Sequence, residues 1–254
     1  MIAALQMYDW PEVREATDAW WAGLARHMGI SVPLSRPADF TCPWLREDLL
    51  FGQTCGYPFT HALKGRVKLV ATPHYEADGC AGARYCSIIL ARENKPLAGF
   101  RGARAAVNTP DSMSGMLALK LVFAPLADAG RFFGAAIETG GHVASLLAVR
   151  EGQADICAID SVCVALARHY RPELLEGLHE IARSPLVPGL PFITQAGDPP
   201  RLRDALTRAF ADADLQEVRR ALLLSGVSVL DERDYDHITA LEAEMEARGG
   251  LRLL

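Results

Sequence analysis

Three stretches in the sequence carry polar residues of the kind that hold small anions. The first runs Ala105-Ala106-Val107-Asn108-Thr109-Pro110-Asp111-Ser112-Met113-Ser114-Gly115, a buried strand giving way to a polar turn and a helix start. The first N–H groups of a helix have no intrahelical partner and lie at the positive end of its dipole, so they form a ready anion site. Ser112 and Ser114 add hydroxyl donors, and Gly115 would let a ligand approach the backbone closely. Ordinary capping by Asp111 or Ser112 is the competing reading. The second stretch, Glu138-Thr139-Gly140-Gly141-His142-Val143-Ala144-Ser145, puts His142 and Ser145 at another helix start. His142 can donate to an anionic or carbonyl oxygen and is expected to carry partial charge near neutral pH. The third ends a strand at Asp160, which either faces the same crevice or caps the helix from Ser161; the two roles are compatible.

Gln53-Thr54-Cys55-Gly56-Tyr57-Pro58 and Gly82-Ala83-Arg84-Tyr85 place polar or aromatic groups beside glycine at strand boundaries. Tyr57 and Tyr85 could close over a ligand, each giving an apolar ring and a phenol hydrogen bond. The six cysteines form no Cys-x-x-Cys pair and no zinc-like spacing with His, so no metal site is expected. No nucleophile–base–orienter pattern is present either, and neither a catalytic residue nor a cofactor is assigned.

Alternating elements position these groups. A short strand containing Leu5 precedes a helix opened by Pro11, with Val13, Ala16, Trp20, Leu24 and Met28 on one face and Gly29 at its end. Residues 31–47 read as a long connection. Strands are expected at Leu49–Thr54, Val67–Thr72, Tyr85–Arg92, Arg104–Asn108, Ala135–Thr139, Asp155–Asp160 and Leu178–Ser184. Helices are expected at Ser114–Phe123, His142–Glu151 and Ser161–His169, with a helical tail. The pattern is that of an α/β protein with mainly parallel sheets. Breaks at Glu93–Pro96 and Pro185–Pro191 suggest two crossings between lobes, dividing the chain into 1–93 plus 186–254 and 94–185.

With 26 Lys+Arg against 31 Asp+Glu, the net charge is -5, and the basic residues form no dense block, which argues against nucleic acid as partner. No apolar run approaches the ~20 residues needed to span a bilayer, so no membrane insertion is expected. The N-terminus lacks the pattern of a signal peptide and reads as cytoplasmic; a periplasmic location is expected if a signal has been removed.

Together, Gln53–Pro58, Tyr85-Cys86-Ser87, Asn108–Gly115, Gly141–Ser145, Gly152–Asp160 and Ser184–Pro188 resemble the phosphate/phosphite/phosphonate-binding proteins of ABC transporters, over roughly residues 48–195. The resemblance implies a two-lobed type II periplasmic-binding-protein-like fold, each lobe a mainly parallel sheet flanked by helices, with two hinge crossings and a ligand in the interlobe cleft. The candidate ligand-binding set is Gln53, Thr54, Tyr57, Tyr85, Asn108, Ser112, Met113, Ser114, Gly115, His142, Ser145 and Asp160. Two positions depart from the family pattern. Its Ser-Thr-Ser-Gly helix start reads Ser112-Met113-Ser114-Gly115 here, and Pro185 follows Ser184 where phosphonate binders tend to carry Asp.

The function implied is a solute-binding protein for a small anionic, oxygen-rich ligand, phosphonate- or phosphate-like or a carboxylate. It would serve an ABC permease or act as a soluble binder or sensor. The alternative is a cytoplasmic enzyme on the same fold, of lyase, dehydratase or cofactor-biosynthesis type, with His142 and Asp160 as acid and base. The sequence does not define the oligomeric state.

Overall fold

The computed structural model describes residues 1–39 and 41–253. Strand β1 (Ile2–Ala4) leads to a short 3-10 turn opened by Pro11 and then to helix α1 (Arg14–Met28), which Gly29 ends in the left-handed conformation, φ 68°. Strand β2 (Leu49–Gln53), helix α2 (Gly56–Thr60) and strand β3 (Lys68–Tyr75) follow, then the two-residue strands β4 (Cys80–Ala81) and β5 (Arg84–Tyr85). The middle of the chain holds strands β6 (Ser87–Ala91), β7 (Arg104–Val107), β8 (Ala135–Glu138), β9 (Ile156–Asp160) and β10 (His179–Arg183). Helices α3 (Ala118–Phe123), α4 (His142–Arg150) and α5 (Ser161–Tyr170) alternate with them. The last stretch has strands β11 (Val187–Pro188), β12 (Phe192–Thr194) and β13 (Leu224–Ser228), and helices α6 (Pro199–Ala211), α7 (Gln216–Ala221) and α8 (Glu232–Ala247).

These elements form two units. The first comprises Met1–Glu76, Cys80–Arg84 and Pro188–Tyr235; the second comprises Ala77–Gly79, Tyr85–Val187 and the residues from Asp236 onward. The expected division at 93/94 and 185/186 differs from these units mainly in two places, besides the short segments 77–79 and 186–187. Strand β6 pairs with β9 and β10 and so falls in the second unit, because Glu93–Pro96 is only a turn within that unit. The chain also changes unit between Tyr235 and Asp236, inside α8, where no Pro or Gly marks the change in the sequence.

In the first unit the sheet order is β1-β2-β12-β3-β13. Only β1 and β2 are parallel; β12 runs antiparallel to both β2 and β3, and β13 antiparallel to β3. The second sheet, β10-β6-β9-β7-β8, has a parallel half, β9-β7-β8, and an antiparallel half. The sheets are therefore mixed, not mainly parallel. Strand–helix–strand repeats force parallel pairing only where a crossover joins neighbours, and strands reached through longer connections pair in either sense. The tail likewise contains β13 as well as helices, a strand hidden by Gly226 and by the helical turns just before it.

The α/β class with helices on the sheets follows from apolar periodicity. In the first unit Trp20, Trp21, Leu24 and Met28 of α1 pack with Phe51, Phe192, Leu202, Leu206 and Ala209. Phe51 and Phe192 stand 4.9 Å apart between ring centroids, and Trp20 meets Phe210 edge-on at 5.0 Å. Tyr235 anchors the start of α8: its buried hydroxyl donates to the Gly189 carbonyl at 2.9 Å and lies 2.7 Å from Thr72 Oγ1. Tyr235→Phe strands both partners in a dry site, and we expect a loss of about 1–3 kcal/mol in unfolding free energy. Urea denaturation checks this; an unchanged midpoint would show that the bonds contribute nothing.

Candidate functional site

Strands β9, β7 and β8 lie side by side and parallel, so their carboxyl ends share one edge of the second unit. That is where open α/β sheets place ligands. The three polar junctions of the second unit, after Val107, Glu138 and Asp160, are therefore neighbours. Backbone bonds tie two of them together: Thr139 N donates to the Val107 carbonyl at 2.8 Å and Gly140 N to the Asn108 carbonyl at 2.9 Å.

The first junction opens with a π-helical turn, Met113–Leu117, before α3. The Ser112 carbonyl accepts from Leu117 N at 3.0 Å, five residues on, and the Ser112 hydroxyl accepts from Gly115 N at 2.9 Å. Ser112 is thus the helix cap, while Asp111 accepts from Thr109 Oγ1 at 2.6 Å in the turn before it. A widened turn of this kind often marks a functional site. The Met113 side chain is buried in the core.

A methyl at the Gly115 Cα would stand 2.4 Å from Asn108 Cγ and 2.6 Å from Oδ1, so the bare Cα makes room for the Asn108 side chain. Asn108 Oδ1 in turn accepts from Ser145 Oγ at 3.0 Å, and Ser145 Oγ lies 2.7 Å from Thr139 Oγ1. Ser145 is wholly buried in this network. Thr139 also donates to the Val107 carbonyl at 2.9 Å; sequence reasoning left it out of the site, although a hydroxyl directly before Gly140-Gly141 was the available signal.

His142, the first residue of α4, meets Ser114 across the two helix starts, with Nε2 2.9 Å from Ser114 Oγ. Its other ring nitrogen, Nδ1, is buried with no hydrogen-bond partner among the described residues. Burial lowers its pKa from 6.5 to about 4, so the imidazole is neutral at pH 7, not partly charged. Asp160 is buried and accepts from Val162 N at 2.8 Å as the cap of α5, and Tyr85, the last residue of β5, is buried two residues before Ser87 of β6, the residue that pairs with Asp160.

The first unit holds the other candidates. Gln53 is buried, its Nε2 donating to the Tyr75 hydroxyl at 3.1 Å and the Leu190 carbonyl at 3.2 Å. Thr54 is wholly buried, with its N–H on the Pro191 carbonyl at 3.1 Å. Tyr57 of α2 stacks on His61, the residue that caps that helix, rings 3.8 Å apart and 9° from parallel. The Gln53 side chain and the Thr54 backbone thus make bonds within their own unit.

Two mixed α/β units, one of them with polar helix starts gathered at the carboxyl ends of parallel strands, define the class of two-unit solute-binding proteins. The chain belongs to the family described as "ABC transporter, phosphonate, periplasmic substrate-binding protein", whose profile matches residues 2–235. No curated protein matches the sequence. Among solved structures, a binding-protein component of an ABC phosphonate transporter from Pseudomonas aeruginosa is 19% identical, with a TM-score of 0.77 over 98% of this chain and 87% of that one. PhnD1 from Prochlorococcus marinus, solved in complex with methylphosphonate, is 12% identical, with a TM-score of 0.77 over 96% and 98%. XAC2383 from Xanthomonas citri, solved bound to chloride ion, is 16% identical, with a TM-score of 0.69 over 98% of each chain. These neighbours share the fold. The family is one of transporter solute-binding proteins, not enzymes, and implies a small ligand and a permease partner. It is described as periplasmic, and no described helix is long and apolar enough to cross a membrane.

Two outcomes follow from this geometry. Gly115→Ala must push Asn108 out of its contact with Ser145, and we expect a destabilisation of about 1–3 kcal/mol; chemical denaturation checks it, and wild-type stability would contradict the packing described. The second concerns pH. The folded state keeps His142 neutral where the unfolded chain would protonate it, so the stability it contributes is complete above about pH 6.5, is lost as pH falls toward 4 and is level below that. Its full size is at most about 3 kcal/mol. Unfolding free energies at pH 7 and pH 4 should therefore differ less in His142→Gln than in the wild type, and equal differences would contradict the burial of the ring.

Proposed function

We propose that this chain holds a small oxygen-rich anion, phosphonate- or phosphate-like or a carboxylate, at the Ser114–His142 pair of the second unit. The observation that carries the reading is the unpartnered, buried Nδ1 of a neutral His142 whose Nε2 is bonded to Ser114. A neutral imidazole has one N–H. If it is on Nδ1, Ser114 donates to Nε2 and the Nδ1 proton is left for a ligand; if it is on Nε2, His142 donates to Ser114 and the serine proton is left. Either tautomer leaves one uncommitted donor, which an anionic oxygen satisfies.

Ser112, Asn108 and the backbone N–H groups at the start of the π turn complete the proposed surface, with Asp160 and Tyr85 beside it. No charge of opposite sign is needed, because helix-start dipoles and hydroxyl donors act at short range even in a protein of net charge -5. Methylphosphonate in PhnD1 and malate in MatC from Rhodopseudomonas palustris bracket the ligand classes. The absence of the middle hydroxyl, with Met113 in its place, favours a ligand asking for fewer donors than the family's helix start offers. The periplasmic setting of the family favours that compartment for this chain, and the ligand would pass to an ABC permease.

Titration calorimetry against phosphate, phosphite, methylphosphonate and malate tests the proposal. Binding of at least one is expected, weakened tenfold or more by Ser114→Ala and by His142→Ala, about 1.4 kcal/mol each. Silence across the panel, or wild-type affinity in both variants, would sink it.

A further inference from the structure

At the amino ends of β7 and β8, the edge away from the Asn108 and Thr139 junctions, the second unit has a hollow of about 480 Å³ lined by Arg101, Gly102, Asp128, Arg131, Phe132 and Arg252. Backbone bonds build its walls. Gly102 N donates to the Phe132 carbonyl at 2.8 Å, Asp128 and Arg131 exchange N–H···O bonds of 2.9 Å each way, and Arg252 N donates to the Gly130 carbonyl at 3.0 Å. The turn between Asp128 and Arg131 uses left-handed backbone at Ala129, φ 47°, and Gly130, φ 72°.

We propose that this hollow binds a small polyanion carrying two or more phosphate groups. Three arginines line one concavity, and among the described residues none of the three has a carboxylate within ion-pair distance. Eight arginines elsewhere, Arg26, Arg36, Arg46, Arg92, Arg104, Arg183, Arg220 and Arg248, are by contrast each paired with Asp or Glu. Arg101 is held in place without being neutralised, since its Nη2 donates to the Leu126 carbonyl and its guanidinium lies over the Phe132 ring, 5.0 Å from the centroid. Like charges gathered around a hollow repel one another, and a multivalent anion relieves that repulsion. The planar fork of arginine suits phosphate oxygens bidentately, and the volume is that of a small-molecule site. The one carboxylate of the lining, Asp128, sets the charge of the hollow at +2 if each group is ionised, which matches a di- or triphosphate better than a monoanion.

Calorimetry with pyrophosphate and tripolyphosphate, on the whole protein at low salt, tests this. The expected result is binding that tightens from pyrophosphate to tripolyphosphate and weakens at least tenfold in Arg131→Ala and in Arg252→Ala. The side chains of Arg131 and Arg252 make no hydrogen bond or ion pair among the described residues, so these two variants should keep the wild-type melting temperature. Ser114→Ala, which weakens the ligand of the proposed function, should leave this binding in place. No binding to the wild type, or wild-type affinity in both arginine variants, would overturn the proposal whatever Ser114→Ala does.

Discussion

The side chain of Asn108 fills the space above the bare Cα of Gly115, and most of the second unit's polar edge depends on that contact. Asn108 ends β7, Gly115 lies in the π turn before α3, and Ser145, which donates to Asn108, belongs to α4. One amide thus fixes the spacing between a strand end and two helix starts. With that spacing set, Ser114 and His142 come within hydrogen-bond distance across the two helices. Any residue larger than glycine at 115 would have to move backbone or Asn108.

The same packing explains the chemistry of His142. Enclosure lowers its basicity and keeps it neutral, while Nδ1 is buried with no hydrogen-bond partner among the described residues. A buried unpaired polar atom costs about 1–3 kcal/mol, and a ligand oxygen that pairs with it recovers that cost on binding. The site therefore stores part of its affinity as an unmet hydrogen bond. Stability and recognition pull in opposite directions at one atom, a common state of affairs where a protein is built to bind.

Much of this was legible in the sequence, for reasons that can be traced to particular residues. Pro11, the apolar spacing from Val13 to Met28 and Gly29 defined α1, since proline suits a helix opening and glycine a left-handed end. The alternation from Arg104 to Tyr170 gave the parallel half of the second sheet. What escaped depended on long-range pairing. Phe192–Thr194 is too short and too close to prolines to read as a strand, yet it sits between β2 and β3 and makes the first sheet mixed. At the site, the capping power of Ser112 and Asp160 was readable from residue type alone. The role of Gly115 and the charge state of His142 were not, because both are set by what lies across the fold.

Whether His142 offers its pair with Ser114 to an anion is tested most directly by the imidazole ¹⁵N shifts of His142. They should be recorded at pH 7 for the free protein and with whichever of phosphate, phosphite, methylphosphonate and malate binds tightest. The account predicts a neutral ring in the free protein and a change in the Nδ1 or Nε2 shift on binding that shows the uncommitted donor of the pair engaged. A ring already charged at pH 7, or shifts indifferent to bound ligand, would contradict it.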